Sequence, residues 1–261
     1  MLKRFSEVLT AHKVVQLRQL AIQSGILSSG NKSQLVQRLA HHFETEPEDT
    51  CASVLSFDLG YRNFAFCHLN KDAEIVDWAL VDFDLPSFHP SVTAPIIRQF
   101  IKDRIQDHLK VADKVLIEQQ RARSNGSIGI LEPILRVNSV EAILWGGLYE
   151  ATERIDRPQL TMKPVLGQAV NSLWQPELDQ VIADNPERFN KIKVGYYHKK
   201  QVSTLLVQYW LDTNTVIKCS EHFRAMFKNE KKKDDLSDCL IQALAWYRWS
   251  KFSKEYKKNL L

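Results

Sequence analysis

Long apolar runs are missing from this chain of 261 residues. No stretch approaches the roughly 20 apolar residues that span a bilayer, so no membrane partner is expected. Cysteine is scarce, and Cys51, Cys67, Cys219 and Cys239 include no C-x-x-C pair. That excludes a zinc module of the usual spacing and fits a reducing compartment. The eight histidines include no H-E-x-x-H or other paired ligand spacing. No nucleophile elbow or triad signature is present either, so a serine or cysteine nucleophile is not expected. Acids are nearly absent from one region. Residues 1–45 hold only Glu7 and Glu44 against Lys3, Arg4, Lys13, Arg18, Lys32 and Arg38. The whole chain carries a net charge of +4, and this piece accounts for the surplus. Such asymmetry points to a module that visits a polyanion, attached to a body that need not be basic.

What is present begins with helical spacing. Val14, Leu17, Leu20 and Ile22 form one short apolar face, with Gly25 as its stop. Ser28–Ser33 reads as a turn, and Leu35, Val36 and Leu39 predict a second helix with Ser33 as a possible N-cap. The first twenty residues, Met1-Leu2-Lys3-Arg4-Phe5 above all, also fit a mitochondrial transit peptide. A short or uncleaved signal would reconcile that with a first helix in the same stretch. Glu44–Asp49 is acidic, carries Pro47 and lacks apolar residues, so it reads as a linker.

The body begins with three strands on short connections, 54–60, 64–69 and 74–81, read as an antiparallel meander. Pro86 and Pro90 precede a helix at about 92–110, and Lys114–Glu118 is a short buried strand ending on an acid. A longer helix near 130–152 carries Ile134, Val137, Val140, Ile143, Leu144 and Leu148, and residues 159–163 could supply a fifth strand. A helical crossover between the first and fourth strands makes them parallel neighbours. Asp58 and Glu118 then stand at strand ends, where sites of α/β folds are usually built.

The stretch Lys232–Trp246 reads as a helix with an acidic opening turn and an apolar body. Asp235 and Asp238 are three apart and share a face. Paired carboxylates on a rigid element repel unless a cation lies between them, and hard divalent ions prefer such oxygen ligands. Acids at a helix start also simply favour its dipole. The final helix, packed on the sheet, could carry this pair to Asp58 and Glu118.

Two family resemblances sharpen this. Leu17-x-x-Leu20, Gly25-Ile26, Ser29-Gly30-x-Lys32-x-x-Leu35 and Arg38-Leu39 resemble the SAP motif, a small DNA-binding module. That resemblance implies Lys32, Arg38 and helix N-termini near phosphates. Phe57-Asp58-x-Gly60, Ile117-Glu118-x-Gln120 and Asp235-x-x-Asp238 resemble the four-acid pattern of the ribonuclease-H-like superfamily, most closely the RuvC-type Holliday-junction resolvases. Ile117-Glu118-Gln119-Gln120-Arg121, with the SAP-like start, resembles the fungal mitochondrial resolvases. The extra acid Asp234 leaves open whether it or Asp235 turns inward, and Glu141 is a further acid on the long helix.

These resemblances imply an α/β protein with a mixed five-stranded ribonuclease-H-like sheet flanked by helices, and a small N-terminal helical hairpin. The expected division is a SAP-like module at 1–45, a linker at 46–51 and a nuclease domain at 52–261. The implied activity is paired, metal-dependent nicking of four-way junction DNA by a mitochondrial homodimer, with no small-molecule substrate. Asp58, Glu118, Asp235 and Asp238 would hold Mg²⁺, with Mn²⁺ able to substitute. Arg121, Arg123, Lys231, Lys232 and Lys233 adjoin the acids as DNA-contact candidates. The helix around Val140–Tyr149 is either a dimer contact or an ordinary core helix. A non-catalytic, RNA-splicing member of the same family, or a nuclease for RNA–DNA hybrids, are the alternatives.

Overall fold

The computed structural model describes residues 2–45, 53–60, 62–120, 132–189 and 196–260. Strands β1 (Val54–Asp58), β2 (Phe64–Leu69) and β3 (Ile75–Val81) pair antiparallel in succession. Asn70 closes the β2–β3 turn: its Oδ1 accepts from the backbone N–H of Asp72 and of Glu74, both at 3.0 Å. The chain then crosses the sheet through α4 (Pro90–Phe100), a π-helical segment (Ile101–Ile105) and α5 (Gln106–Val111). It returns as β4 (Lys114–Glu118), parallel to β1 as the crossover demands. Helix α6 (Glu132–Ile155) leads to β5 (Thr161–Val165), parallel to β4. The sheet order is β3-β2-β1-β4-β5. The one helix expected over 92–110 is therefore three segments, because Ile101–Ile105 takes the wider π turn.

The remaining helices are α7 (Gly167–Asp184), α8 (Pro186–Phe189), α9 (Tyr196–Thr213), α10 (Glu221–Asn229) and α11 (Lys233–Leu260). Strand alternation divides the core between two layers. Leu55, Phe57, Phe66, Val115 and Ile117 face Ile97, Ile101, Ile105, Val140, Leu144 and Leu148 of the α4–α6 layer. Val54, Cys67 and Leu116 face Trp174, Leu206, Trp210, Leu240 and Leu244 of the α7–α9–α11 layer. Both faces of the central strands are covered, which is why β1 and β4 read as continuous apolar runs. A polar chain crosses the first layer. Ser53 Oγ meets His68 Nε2 at 2.6 Å, His68 Nδ1 meets His108 Nδ1 at 2.9 Å, and His108 Nε2 reaches Asp77 Oδ2 at 2.8 Å.

Residues 2–45 form three helices, α1 (Leu2–Thr10), α2 (Val14–Gln23) and α3 (Lys32–Thr45), rather than the hairpin of two expected. Phe5 and Leu9 of α1 are buried with Leu17, Ala21, Leu35, Leu39 and Phe43. The cap of α3 is Asn31 rather than Ser33. Asn31 Oδ1 accepts from Gln34 N–H and Gln34 Oε1 accepts from Asn31 N–H, both at 3.0 Å. This small core sits on the far end of α11, where Phe43 and Tyr256 stack at 4.7 Å. Trp249 Nε1 donates to Ile22 O at 3.1 Å. Gly25 turns there with φ +72°, and a Cβ at that position would lie 2.4 Å from the Trp249 ring. The linker expected at 46–51 lies outside the described residues, and Glu44 of the acidic stretch belongs to α3. No described helix is long and apolar enough to cross a membrane.

Candidate active site

β1 and β4 are parallel neighbours in register, Phe57 opposite Ile117, so Asp58 and Glu118 leave the sheet side by side. The third carboxylate comes from α11, whose position along the sheet is set by buried hydrogen bonds. Gln242 Nε2 donates to Ser56 Oγ at 2.9 Å and to Phe57 O at 3.1 Å. Trp78 Nε1 donates to Leu236 O at 3.1 Å, and Trp174 Nε1 to Ile241 O at 3.2 Å. These fix the first turns of α11 beside the end of β1, and Asp238 meets the two strand acids there.

The electrostatics record that meeting. Burial pushes the Asp58 carboxyl well above the usual carboxylate range, helped by the charges of Glu118 and Asp238 and a hydrogen bond with Glu118. Asp238 is pushed to about 7, first by burial and then by Glu118, with Lys200 opposing. Asp235, one turn earlier, is also raised, by burial and then by Asp234, again against Lys200. Lys200 of α9 donates to Asp234 Oδ2 and stands 3.6 Å from Asp235 Oδ1. Asp234 is thus turned toward a lysine, and Asp238 is the α11 acid grouped with Asp58 and Glu118. Asp235 lies between these groups, and its Oδ2 is buried with no hydrogen-bond partner.

Glu118 is held by Gln120, and Gly167 leaves room for its second oxygen. Gln120 Nε2 donates to its Oε2 at 2.9 Å, and its Oε1 would lie 3.2 Å from a Cβ added at Gly167. Lys200 and Gly167 were not singled out by sequence reasoning. Lys200 was legible only as one member of the basic run His198-Lys199-Lys200, and a single glycine opening a helix carries no signal.

The basic candidates divide. Lys231 and Lys232 are exposed, and the Lys232 charge reaches Asp235. Lys233 is half-buried, with its Nζ 5.7 Å over the Phe227 ring. Lys32 is exposed at the start of α3. Arg38 turns its guanidinium back on the carbonyls of Leu27 and Ser29. Arg121 and Arg123 lie outside the described residues.

Among the described residues, no group of three or more His, Cys, Asp or Glu side chains is arranged to hold a metal ion as it stands. The acids meet instead as a close group in which Asp58 and Glu118 share a hydrogen bond and the charge of Glu118 bears on Asp238. The donor set nevertheless fits a hard divalent cation: every donor is a carboxylate oxygen, and Asp235 Oδ2 lacks any other partner.

A mixed sheet of this order, with carboxylates ending β1 and β4 and a third acid on the last helix, defines a ribonuclease-H-like protein. The chain belongs to the family described as "Mitochondrial resolvase Ydc2 / RNA splicing MRS1", whose profile matches residues 80–256. That span includes Glu118, Asp235 and Asp238 but not Asp58. The chain is 25% identical over 269 residues to "Cruciform cutting endonuclease 1, mitochondrial" of Schizosaccharomyces pombe, covering 94% of this chain and 95% of that one. It is also 25% identical over 248 residues to the protein of the same name from Saccharomyces cerevisiae, covering 76% of this chain and 69% of that one. The crystal structure of the yeast mitochondrial Holliday junction resolvase Ydc2 matches with a TM-score of 0.68 at 24% identity, over 95% of this chain and 98% of that one. This last likeness concerns the fold.

Proposed function

We propose that this chain is a mitochondrial endonuclease that resolves four-way DNA junctions by metal-dependent phosphodiester hydrolysis. The observation that carries the reading is the meeting of Asp58, Glu118 and Asp238, which lie far apart in sequence: the charges of Glu118 and Asp238 raise the Asp58 carboxyl, and that of Glu118 raises Asp238. A protein that only bound nucleic acid would gain nothing from burying mutually repelling carboxylates. The names of the mitochondrial relatives support the substrate and the compartment.

Asp58, Glu118 and Asp238 would hold the cation, with the free oxygen of Asp235 beside them. Mg²⁺ is the expected ion, and Mn²⁺ the expected substitute. Such an ion supplies an activated water and stabilises the leaving oxygen of an in-line phosphodiester attack. Gln120 orients Glu118, Gly167 leaves room for its carboxylate, and Lys200 balances Asp234 and Asp235. Exposed Lys231 and Lys232 lie just before the acid-bearing turn, where a phosphate backbone would approach.

A twofold dimer matches the symmetry of a junction and supplies two active sites. Helix α6 supports it with one face. Gly147 packs inward, where an added Cβ would lie 2.6 Å from Ile101 Cδ1, whereas nothing lies within 4 Å of a Cβ at Gly146. Leu135 and Tyr149 on this outer side are 51% and 55% exposed. The core and dimer readings of this helix therefore belong to different faces of it.

The test is cleavage of an end-labelled four-way junction with Mg²⁺ or Mn²⁺, alongside linear duplex and RNA–DNA hybrid. Paired nicks leaving 5′-phosphate and 3′-hydroxyl ends are expected on the junction alone, from a species that sediments as a dimer. Asp58→Asn should lose cleavage and keep binding. An uncut junction under every divalent-metal condition removes the reading. Tight binding of structured RNA in that case would favour the splicing branch of the family.

A further inference from the structure

We infer that Glu141 is a positioning residue for Glu118, acting through Gln120. The inference rests on the nuclease reading of the acid cluster and concerns an acid that the four-carboxylate pattern leaves unused. The pairing of β4 with β5 runs out at Glu118 and Val165, and the last main-chain bond is Gln119 N–H to Val165 O at 2.8 Å. The next donor, Gln120 N–H, has no strand to pair with. Glu141 Oε2, reaching across from α6, accepts it at 3.2 Å. Gln120 then folds its side chain back and donates to Glu118 Oε2 at 2.9 Å. Gly167 carries no side chain beside the other oxygen, Oε1, which would lie 3.2 Å from an added Cβ. The direction in which Glu118 faces Asp58 therefore depends on where Gln120 is held, and Glu141 is what holds its backbone.

Glu141 is itself anchored. The indole N–H of Trp145, one turn further along α6, donates to its carboxylate. Burial raises the Glu141 pKa, and the charge of Glu118 adds to that. A negative charge is thus unwelcome at this place, while two acceptor contacts are in use. A glutamine keeps an acceptor oxygen for the Gln120 N–H and offers no charge to a cation, which separates a positioning role from that of a further cation ligand.

The experiment compares Glu141→Gln, Glu141→Ala and Gln120→Ala in the full-length protein. Three quantities are read: single-turnover junction cleavage, junction affinity without divalent ions, and Mn²⁺ affinity of the DNA-free protein by electron paramagnetic resonance. Partners that orient a ligand typically change metal affinity or activity about 10- to 100-fold when removed, and Glu141→Ala should lose that much in both cleavage and Mn²⁺ affinity. Its junction affinity should not change. Gln120→Ala should follow it, and it decides the matter if Glu141→Ala does not fold. Glu141→Gln should stay within about threefold of the parent on all three, since it keeps the acceptor oxygen. Loss of Mn²⁺ affinity in Glu141→Gln equal to that in Glu141→Ala would overturn the proposal and make Glu141 a ligand. Parent-like behaviour of both alanine variants would also overturn it. A parent protein that cuts no junction would remove the nuclease reading, and the Mn²⁺ measurements would still decide the role of Glu141.

Discussion

Asp238 shows what one residue contributes. Its carboxyl moves from an ordinary 3.8 to about 7, chiefly through burial and then through Glu118. Between those values the folded protein holds a proton that the unfolded chain has released. Stability therefore falls as pH rises across this window and stays at the lower level above it. Asp238→Asn removes the titration. In metal-free protein its melting temperature should exceed that of the parent by a margin that grows from pH 4 to pH 7 and is constant above. Mg²⁺ should close the margin by stabilising only the parent, because the cation takes the proton's place. His68, buried and lowered to about 4, pushes in the opposite direction, but it is common to both proteins and cancels in the difference. The same substitution should slow cleavage about a thousandfold, as expected when several kcal/mol of transition-state stabilisation are lost. A pH-independent margin would mean that Asp238 does not carry the raised pKa. Residue-scale reading of the sequence singles out Asp235 and Asp238 by their spacing and Asp58 and Glu118 by their places at strand ends, and only the family resemblance joins the four. The sequence could not choose between Asp234 and Asp235, because that choice depends on Lys200, which arrives from another helix.

At the scale of elements, α11 does three things along its 28 residues. Its first two turns carry the acids. Its middle, from Leu236 to Ala245, is buried almost all round between the sheet and the α7 and α9 helices. Its last turns hold the N-terminal helices through Trp249, Ser253 and Tyr256. Trp249→Ala should cost about 3–5 kcal/mol, the usual range for emptying a buried tryptophan site. Urea unfolding followed by amide hydrogen exchange checks this. Trp249 is buried with the body's core and also bonds Ile22 O; protection should fall in α1–α3 while β1 and β4 keep theirs, and an even loss across the chain would show that its packing in the body outweighs its hold on α2. Strand and helix order were readable because period-two and period-3.6 patterns are local. The π segment was not, since its apolar residues keep nearly the same spacing as an α-helix. The Asn31 cap was missed for a related reason: Ser33 has the right chemistry, and only the reciprocal bond with Gln34 decides the helix start.

For the whole molecule, the question is how charge is presented to DNA. The six cations of the N-terminal segment do not all serve one purpose. Lys13, Arg18 and Lys32 are exposed, whereas Arg38 braces the 27–30 loop. Replacing the exposed three by glutamine should reduce the slope of log affinity against log salt by up to about 2.7, if each meets one phosphate. Fluorescence anisotropy on a four-way junction at several salt concentrations measures it. An unchanged slope would leave these helices as packing for α11 and nothing more. Deleting residues 1–45 is a poorer test than the charge change, because it also strips the cover from Trp249 and Tyr256.

The amino-acid order alone determined the order of the five strands and of the longer helices in the body, their apolar faces, and which acids stand at strand ends. Those properties follow from periodicity and turn chemistry within a few residues of each position. Only the tertiary structure decided that Asp234 turns to Lys200 while Asp235 keeps a buried oxygen without a partner, that Gly147 faces inward and Gly146 outward, and that Glu141 reaches Gln120. Each of these depends on how far one helix slides and rotates against a distant strand. Buried hydrogen bonds such as Gln242 to Ser56 set that position, and they join residues 186 positions apart in the chain.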